Sequence, residues 1–193
     1  MTHYDVSPVR SDDADALAAF FDRAGSTCFC RYWHFTGDKN AWLERSAFDP
    51  KANEADLRTG LKNADPSALG LCARNGDGLV VGWLKLSTLS DVPKLRNLSV
   101  YRRLDLDASA LVIGCLLVLP DHRAQGVARA LVRGAIARAR ALPEVTRLYA
   151  FPRRAEARLH DEEAWMGPYA IYVAEGFIQA SGEDPYPVLV HPL

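Results

Sequence analysis

Leu111-Val112-Ile113-Gly114-Cys115-Leu116-Leu117-Val118-Leu119-Pro120-Asp121-His122-Arg123-Ala124-Gln125-Gly126-Val127-Ala128, continued by an Ala-, Arg- and Leu-rich segment to Leu142, decides the fold. A dense apolar run rich in branched residues reads as a core strand. Pro120 stops it, because proline cannot continue a ladder. Gly126 lacks a Cβ, so the chain can turn sharply there and a ligand can approach the backbone. The segment that follows reads as a helix. Its first turn presents unpaired N–H groups and the positive end of the helix dipole, an anion site suited to phosphate.

Working outward, residues 145–151 read as a second strand ended by Pro152. Strand, helix and strand in this span make a βαβ unit, so the two strands should be parallel neighbours with a right-handed crossover. Upstream, residues 68–74 and 79–86 are apolar and β-like. Asn75-Gly76-Asp77-Gly78 separates them and marks a hairpin, since these residues tolerate positive φ. Residues 4–10 form a candidate first strand. Ser11 is then a candidate N-cap before acidic Asp12 and Asp13, opening a helix with Leu17, Phe20 and Phe21 as its stripe and Gly25 as its stop. Residues 41–64 are helical by periodicity, broken at Asp49-Pro50. Residues 87–107 read as a long connection and 153–163 as a charged loop. A short helix over 167–174 is closed by Gly176, and strands are expected over 177–180 and 186–190.

The chain of 193 residues suits one domain, with 49% hydrophobic and 24% charged residues. Its 23 basic and 24 acidic residues nearly cancel, which gives no drive towards nucleic acid or anionic membranes. No apolar run reaches the ~18–20 residues of a membrane helix. The N-terminus lacks the basic-then-apolar form of a signal peptide. Cys72 and Cys115 lie in apolar runs, where free cysteine behaves as a small hydrophobe. A reduced, cytoplasmic protein without a disulfide framework is expected, as a monomer or homodimer.

Cys28-Phe29-Cys30-Arg31-Tyr32-Trp33-His34-Phe35 is the oddest local composition. Metal sites generally want a wider cysteine spacing and a fourth ligand, so no metal is expected. Core packing and the lining of a small-molecule pocket stay open as readings, since grouped aromatics serve both.

Two stretches carry a resemblance to a known family. Arg123-Ala124-Gln125-Gly126-Val127-Ala128, after a strand and a proline, resembles the Arg/Gln-x-x-Gly-x-Gly/Ala pyrophosphate motif of the GNAT superfamily of acyl-CoA N-acyltransferases. Tyr172-Val173-Ala174-Glu175-Gly176-Phe177 is similar to that family's Tyr-x-x-x-Gly-Phe. The order of elements matches over most of the chain, so residues 1–193 are expected to be a single domain of that kind. The fold implied is α/β (α+β): a mixed, mostly antiparallel sheet with a central splayed parallel strand pair and helices on both faces.

The resemblance implies acetyl-CoA as cosubstrate. Backbone groups of Leu116, Leu117 and Val118 would bind its pantetheine like an added strand. Amides of Arg123, Ala124, Gln125, Gly126, Val127 and Ala128 would hold its pyrophosphate. Tight helix–sheet packing is the alternative reason for Gly126 and Ala128. Arg129 lies one residue beyond the motif. Either it reaches a phosphate, or it belongs with Arg133 and Arg140 to a solvated helix face. Tyr172 would be the general acid for the departing thiolate, as a phenol has a suitable pKa. A buried aromatic with a locally satisfied hydroxyl is the alternative. Phe177 is expected in the core.

The resemblance also exposes a gap. Many family members carry a glutamate on the central strand, four residues before the position of Val118; here that position is Gly114. The base would act through water or come from Asp105, Asp107, Glu44 or His34. Cys115 could act as an acyl nucleophile, but no histidine is placed beside it by motif, so strand packing near the pocket is expected. Trp33, His34, Trp83 and Trp165 are candidate substrate-side residues, with Cys115 near them. The expected activity is transfer of an acetyl group to an amine of a small molecule or protein. A non-catalytic acyl-CoA-binding regulatory module is the alternative. A dinucleotide or P-loop protein would need Gly-x-Gly-x-x-Gly or Gly-Lys-Ser/Thr, which the turn lacks.

Overall fold

A computed structural model describes residues 4–102, 106–107, 109–156, 159–160 and 163–193. Seven strands and six α-helices follow one another among these residues: β1 (Asp5–Pro8), α1 (Ala14–Arg23), α2 (Lys39–Phe48), α3 (Pro50–Lys62), β2 (Gly70–Arg74), β3 (Val80–Thr88), α4 (Pro93–Asn97), β4 (Leu111–Val118), α5 (Val127–Arg140), β5 (Arg147–Ala150), α6 (Tyr169–Ala174), β6 (Ile178–Ser181) and β7 (Val188–Pro192). None of the helices is long and apolar enough to cross a membrane.

One sheet has the order β1-β2-β3-β4-β5-β7-β6. All its pairs are antiparallel except β4 with β5, which run parallel as the βαβ reading required. Helices cover both faces. On β3, Gly82 faces Val127 and Leu131 of α5, whereas its neighbour Trp83 meets Phe21 of α1 edge-on. Successive strand residues point to opposite faces, so α5 and α1 lie on opposite sides. The stripe Val127, Leu131, Val132, Ala135, Ile136 and Ala139 seats α5 in the main core. A second cluster, with Trp33, Val112, Tyr149, Phe151 and Met166, fills the region beside the parallel pair.

Local chemistry sets most boundaries. Asp49 caps α3 by accepting from the Ala52 amide at 3.2 Å, and Pro50 takes the first helical position. Asp38 caps α2 through the Ala41 amide at 2.8 Å. The expected Ser11 cap is not made. Residues Ser11–Asp13 form a 3-10 turn, and the Asp13 carboxylate instead accepts from the Arg10 amide at 2.8 Å. The connection over 87–107 holds α4, opened by Pro93.

Candidate active site

The turn after β4 is built by two backbone positions in the left-handed region, Ala124 at φ +57° and Gly126 at φ +91°. Gly126 is the N-cap of α5. A Cβ placed on Gly126 would meet nothing within 4 Å. Helix–sheet packing is therefore not what requires glycine there; the backbone angle and open access are. The first-turn amides of α5 have no partner inside the helix and face this open side.

That side is a cleft of about 880 Å³. Leu116, Leu117 and Val118 form its strand wall. Arg123, Ala124, Gly126, Val127, Ala128 and Arg129 form its turn wall. Pro168, Tyr169, Ala170 and Ile171 at the start of α6 stand opposite. Gln125 turns away, donating to the Asp121 carbonyl at 2.7 Å and accepting from the Tyr4 hydroxyl at 3.4 Å.

The cleft mouth is basic. His122, Arg123, Arg129, Arg153 and Arg154 border it, against Glu156. Several of these cations are already held. Glu175 accepts from Arg129 at 3.2 Å and from Arg133 at 2.7 Å. Arg153 pairs with Glu163, and Arg154 pairs with Asp184 at 3.3 Å while lying over the Tyr169 ring. Arg123 donates to the Val118 carbonyl at 3.2 Å, tying the turn to the strand end.

The strand wall opens because β4 and β5 pair only over Leu111–Ile113 with Leu148–Ala150. Beyond Ile113 the strands part. The ladder with β3 alternates, so the N–H groups of Leu116 and Val118 point to the β5 side. The Leu116 amide there donates to the Trp165 carbonyl at 2.9 Å. The register between β3 and β4 slips at this level: Lys85 faces Cys115 and Leu86 faces Ile113, which leaves Gly114 as the bulged residue.

Trp33 occupies the space over that bulge. Its indole N–H donates to the Gly114 carbonyl at 2.7 Å, and a Cβ on Gly114 would lie 2.9 Å from the same nitrogen. The position at which the resemblance implies a strand glutamate is thus filled by an indole from the aromatic segment. Trp33 and Trp83 are both 1% exposed and belong to the core, and the described lining of the cleft includes neither of them, nor His34 or Cys115. Trp165 packs against Trp33 at 5.2 Å between ring centroids.

Behind β4 lies a polar group that no sequence pattern announced. Lys85, 1% exposed, donates to the carbonyls of Ser67 at 2.7 Å and Leu69 at 2.9 Å, with Pro66 at 3.4 Å. Burial brings its pKa down to about 8. Burial first, then Lys85 and Arg31, push His34 down to about 3. His34 is a neutral and very weak base at neutral pH. Burial opposes ionisation of Cys30, but the Cys115 hydrogen bond and the Lys85 ammonium outweigh it and bring that thiol to about 7. The same hydrogen bond, with burial, holds Cys115 well above the usual thiol range, which disfavours it as a nucleophile. All four cysteines are free thiols.

The other base candidates lie elsewhere. Glu44 is exposed on α2. The Asp107 carboxylate accepts from the Ser109 amide at 3.0 Å and the Ser109 hydroxyl at 2.7 Å, ahead of β4 and away from the cleft end. Asp105 lies outside the described residues.

Tyr172 is fully buried on α6, packed edge-on against the core residue Phe177. Its hydroxyl donates to the Met166 carbonyl at 2.7 Å. Burial, then Cys115, raise its pKa well above the phenol range. The tyrosine that reaches the cleft surface is Tyr169, one turn earlier.

Comparison with known proteins adds an independent finding. The sequence model described as Acetyltransferase (GNAT) family matches residues 31–164, which includes β4, the turn and α5 and stops short of Tyr172. Among curated proteins none matches significantly. Solved structures do. An acetyltransferase from Thermus thermophilus is 21% identical over 100% of both chains, with a TM-score of 0.53. The PaiA N-acetyltransferase from Thermoplasma acidophilum, in complex with coenzyme A, is 9% identical over 99% of each chain, TM-score 0.55. The GNAT family N-acetyltransferase YhbS from Escherichia coli, in complex with CoA, is 17% identical over 100% of this chain and 82% of that one, TM-score 0.55. At these identities the likeness is one of fold.

Proposed function

This chain belongs to the Acetyltransferase (GNAT) family, and from that premise we propose that it is an N-acetyltransferase moving the acetyl group of acetyl-CoA to an amine by direct attack in a ternary complex. One observation carries the reading: the open edge of β4 at Leu116–Val118 and the amide-rich turn at residues 123–129 are walls of the same cleft. A phosphate-binding turn alone fits many ligands. A phosphate turn continuous with an unpaired strand edge fits a diphosphate joined to an extended amide chain. The open space over Gly126 and the basic mouth fit the diphosphate, and the apolar strand wall fits the pantetheine.

The chain's own groups have assignable tasks. Amides of residues 124–128 and the side chains of Arg123 and Arg129 hold phosphate oxygens. The Val118 and Leu116 amides take the pantetheine and thioester end, which requires the Leu116 N–H to leave the Trp165 carbonyl. The acceptor amine then attacks the thioester carbonyl, the C–S bond breaks, the departing thiolate takes a proton from the Tyr172 hydroxyl, and the strongly basic tyrosinate left behind regains one from water. That hydroxyl must turn from Met166 to do so. No strand carboxylate collects the amine proton, because Gly114 and Trp33 fill that position. Water is the acceptor of that proton in this scheme, and an apolar site helps by lowering the amine pKa.

A second reading, a non-catalytic acyl-CoA-binding module, draws support from the engaged Tyr172 hydroxyl and from Gly114. Acetyl-CoA turnover followed as free thiol over a broad amine panel separates the two. Release of thiol that depends on an amine, and falls in Tyr172→Phe, supports the enzyme. Acetyl-CoA binding without turnover on any amine supports the module.

A further inference from the structure

The cleft has a definite far end. From the turn it follows β4 inward past Val118 and Leu116, and β4 and β5 rejoin at Ile113 and Ala150. At ~3.3 Å per strand residue, the level of Gly114 lies two residues, ~7 Å, beyond Leu116, the innermost described lining position on β4. An acyl group carried on a chain laid along Leu116–Val118 must point to this level.

Three residues beyond the described lining of the cleft lie at this level. The Trp33 indole lies over the bulged Gly114, bonded to its carbonyl at 2.7 Å. Trp165 packs on that indole with ring centroids 5.2 Å apart and planes 35° apart, and its carbonyl holds the Leu116 amide. Met166 follows and receives the Tyr172 hydroxyl. Trp33 is the fixed member of this wall. It is 1% exposed, tied by its indole N–H to the strand itself, and also packed on Tyr32. The indole sits directly on Gly114, since even a methyl there would lie 2.9 Å from the indole nitrogen.

We propose that Trp33 is the residue that sets acyl-chain length, its indole ending the acyl pocket so that acetyl is accepted and longer chains are refused. The proposal rests on the acyl-CoA reading of the cleft. A rigid aromatic wall discriminates by exclusion: an added methylene has nowhere to go unless the indole breaks its bond to Gly114. Trp33 is a specificity residue here, and the phosphate turn and Val118 do not depend on it.

Calorimetric binding of coenzyme A, acetyl-CoA, butyryl-CoA and hexanoyl-CoA tests this without knowledge of the amine. In the wild-type chain, affinity should fall at least about tenfold from acetyl- to hexanoyl-CoA, the scale of exclusion that one unaccommodated methylene can give. Trp33→Ala should remove most of that fall while leaving coenzyme A affinity unchanged. Trp33→Leu and Trp33→Phe, less disruptive to the core, should give graded intermediate profiles. Gly114→Ala, which pushes a methyl against the indole, should steepen the fall and reach butyryl-CoA. The proposal is overturned if any folded Trp33 variant that binds coenzyme A keeps the wild-type chain-length profile. It is equally overturned if the wild type binds hexanoyl-CoA as well as acetyl-CoA, or, should no Trp33 variant fold, if Gly114→Ala leaves the profile unchanged. Failure of the wild type to bind coenzyme A at all would instead overturn the acyl-CoA reading beneath it.

Discussion

The hydroxyl of Tyr172 donates to the carbonyl of Met166 at 2.7 Å, inside the core and not at the cleft surface. Two separable effects should follow from Tyr172→Phe. Loss of a buried hydrogen bond leaves the Met166 carbonyl unsatisfied and should lower stability by about 1–2 kcal/mol, read by urea unfolding. Loss of the proposed general acid should lower turnover by about 100-fold with acetyl-CoA affinity unchanged. Because burial raises the Tyr172 pKa, the acid stays protonated through alkaline pH, and the wild-type rate should show no loss assignable to its ionisation up to pH ~10. Lower stability with undiminished turnover would reduce Tyr172 to a core residue.

Gly126 and Gly25 make a matched pair. Both have positive φ, and a Cβ on either would meet nothing within 4 Å. Gly126→Ala and Gly25→Ala should therefore cost similar stability, about 1 kcal/mol, from backbone strain alone. Only Gly126→Ala should weaken coenzyme A binding, by about tenfold or more, since only that position opens on the cleft. Equal coenzyme A affinities in the two variants would move the ligand away from the turn.

His34 gives the protein an acid-sensitive component. The unfolded chain protonates this histidine below its ordinary pKa of 6.5, whereas the folded chain, with the value pushed to about 3 by burial and by Lys85 and Arg31, does not. The unfolded state then binds more protons, so stability falls as pH drops from 6.5 towards 3. Between pH 7 and pH 5.5 the loss from this residue is about 1 kcal/mol. His34→Asn should flatten the curve in that window when unfolding free energies are compared at the two pH values. Asp65, whose carboxyl is lowered mainly by its Ser67 hydrogen bonds, acts at lower pH and should leave the window unaffected.

Lys85→Met should be costly although it places an apolar side chain in a buried position. The ammonium serves the carbonyls of Ser67 and Leu69 from a site 1% exposed. Removing it strands the Leu69 carbonyl and leaves that of Ser67 to Arg31 alone, and a loss of about 1–3 kcal/mol is expected in urea unfolding. A neutral result would mean that water replaces the lysine.

What the chain discloses in advance depends on how local the physics is. The hairpin at Asn75–Gly78, the break at Asp49-Pro50 and the parallel pair around α5 are written in contiguous residues. They appear within a few positions of their expected bounds. The cleft walls at Leu116–Val118 and around Gly126 were legible for the same reason. The opposite wall was less so, because Tyr169 on α6 is no part of a recognisable pattern. The fate of the missing strand glutamate was not legible at all. It depends on Trp33 reaching Gly114 across 81 positions of sequence, and periodicity carries no information over such a span. Lys85 was missed because it sits in an apolar run and its partners are backbone carbonyls of a distant turn. Composition groups Trp33 and Trp83 with the substrate side, whereas both are 1% exposed and neither is in the described lining of the cleft.

The sheet is in effect two antiparallel leaves, β1-β2-β3-β4 and β5-β7-β6, hinged on three residue pairs between Leu111–Ile113 and Leu148–Ala150. Few strand contacts hold the leaves together below that hinge. A ligand lodged along Leu116–Val118 would serve as the keystone between them, and stabilisation would grow with the logarithm of its concentration. The lifetime of this protein against heat and proteolysis would then track the supply of its own acyl donor, making persistence in the cell a gauge of that supply.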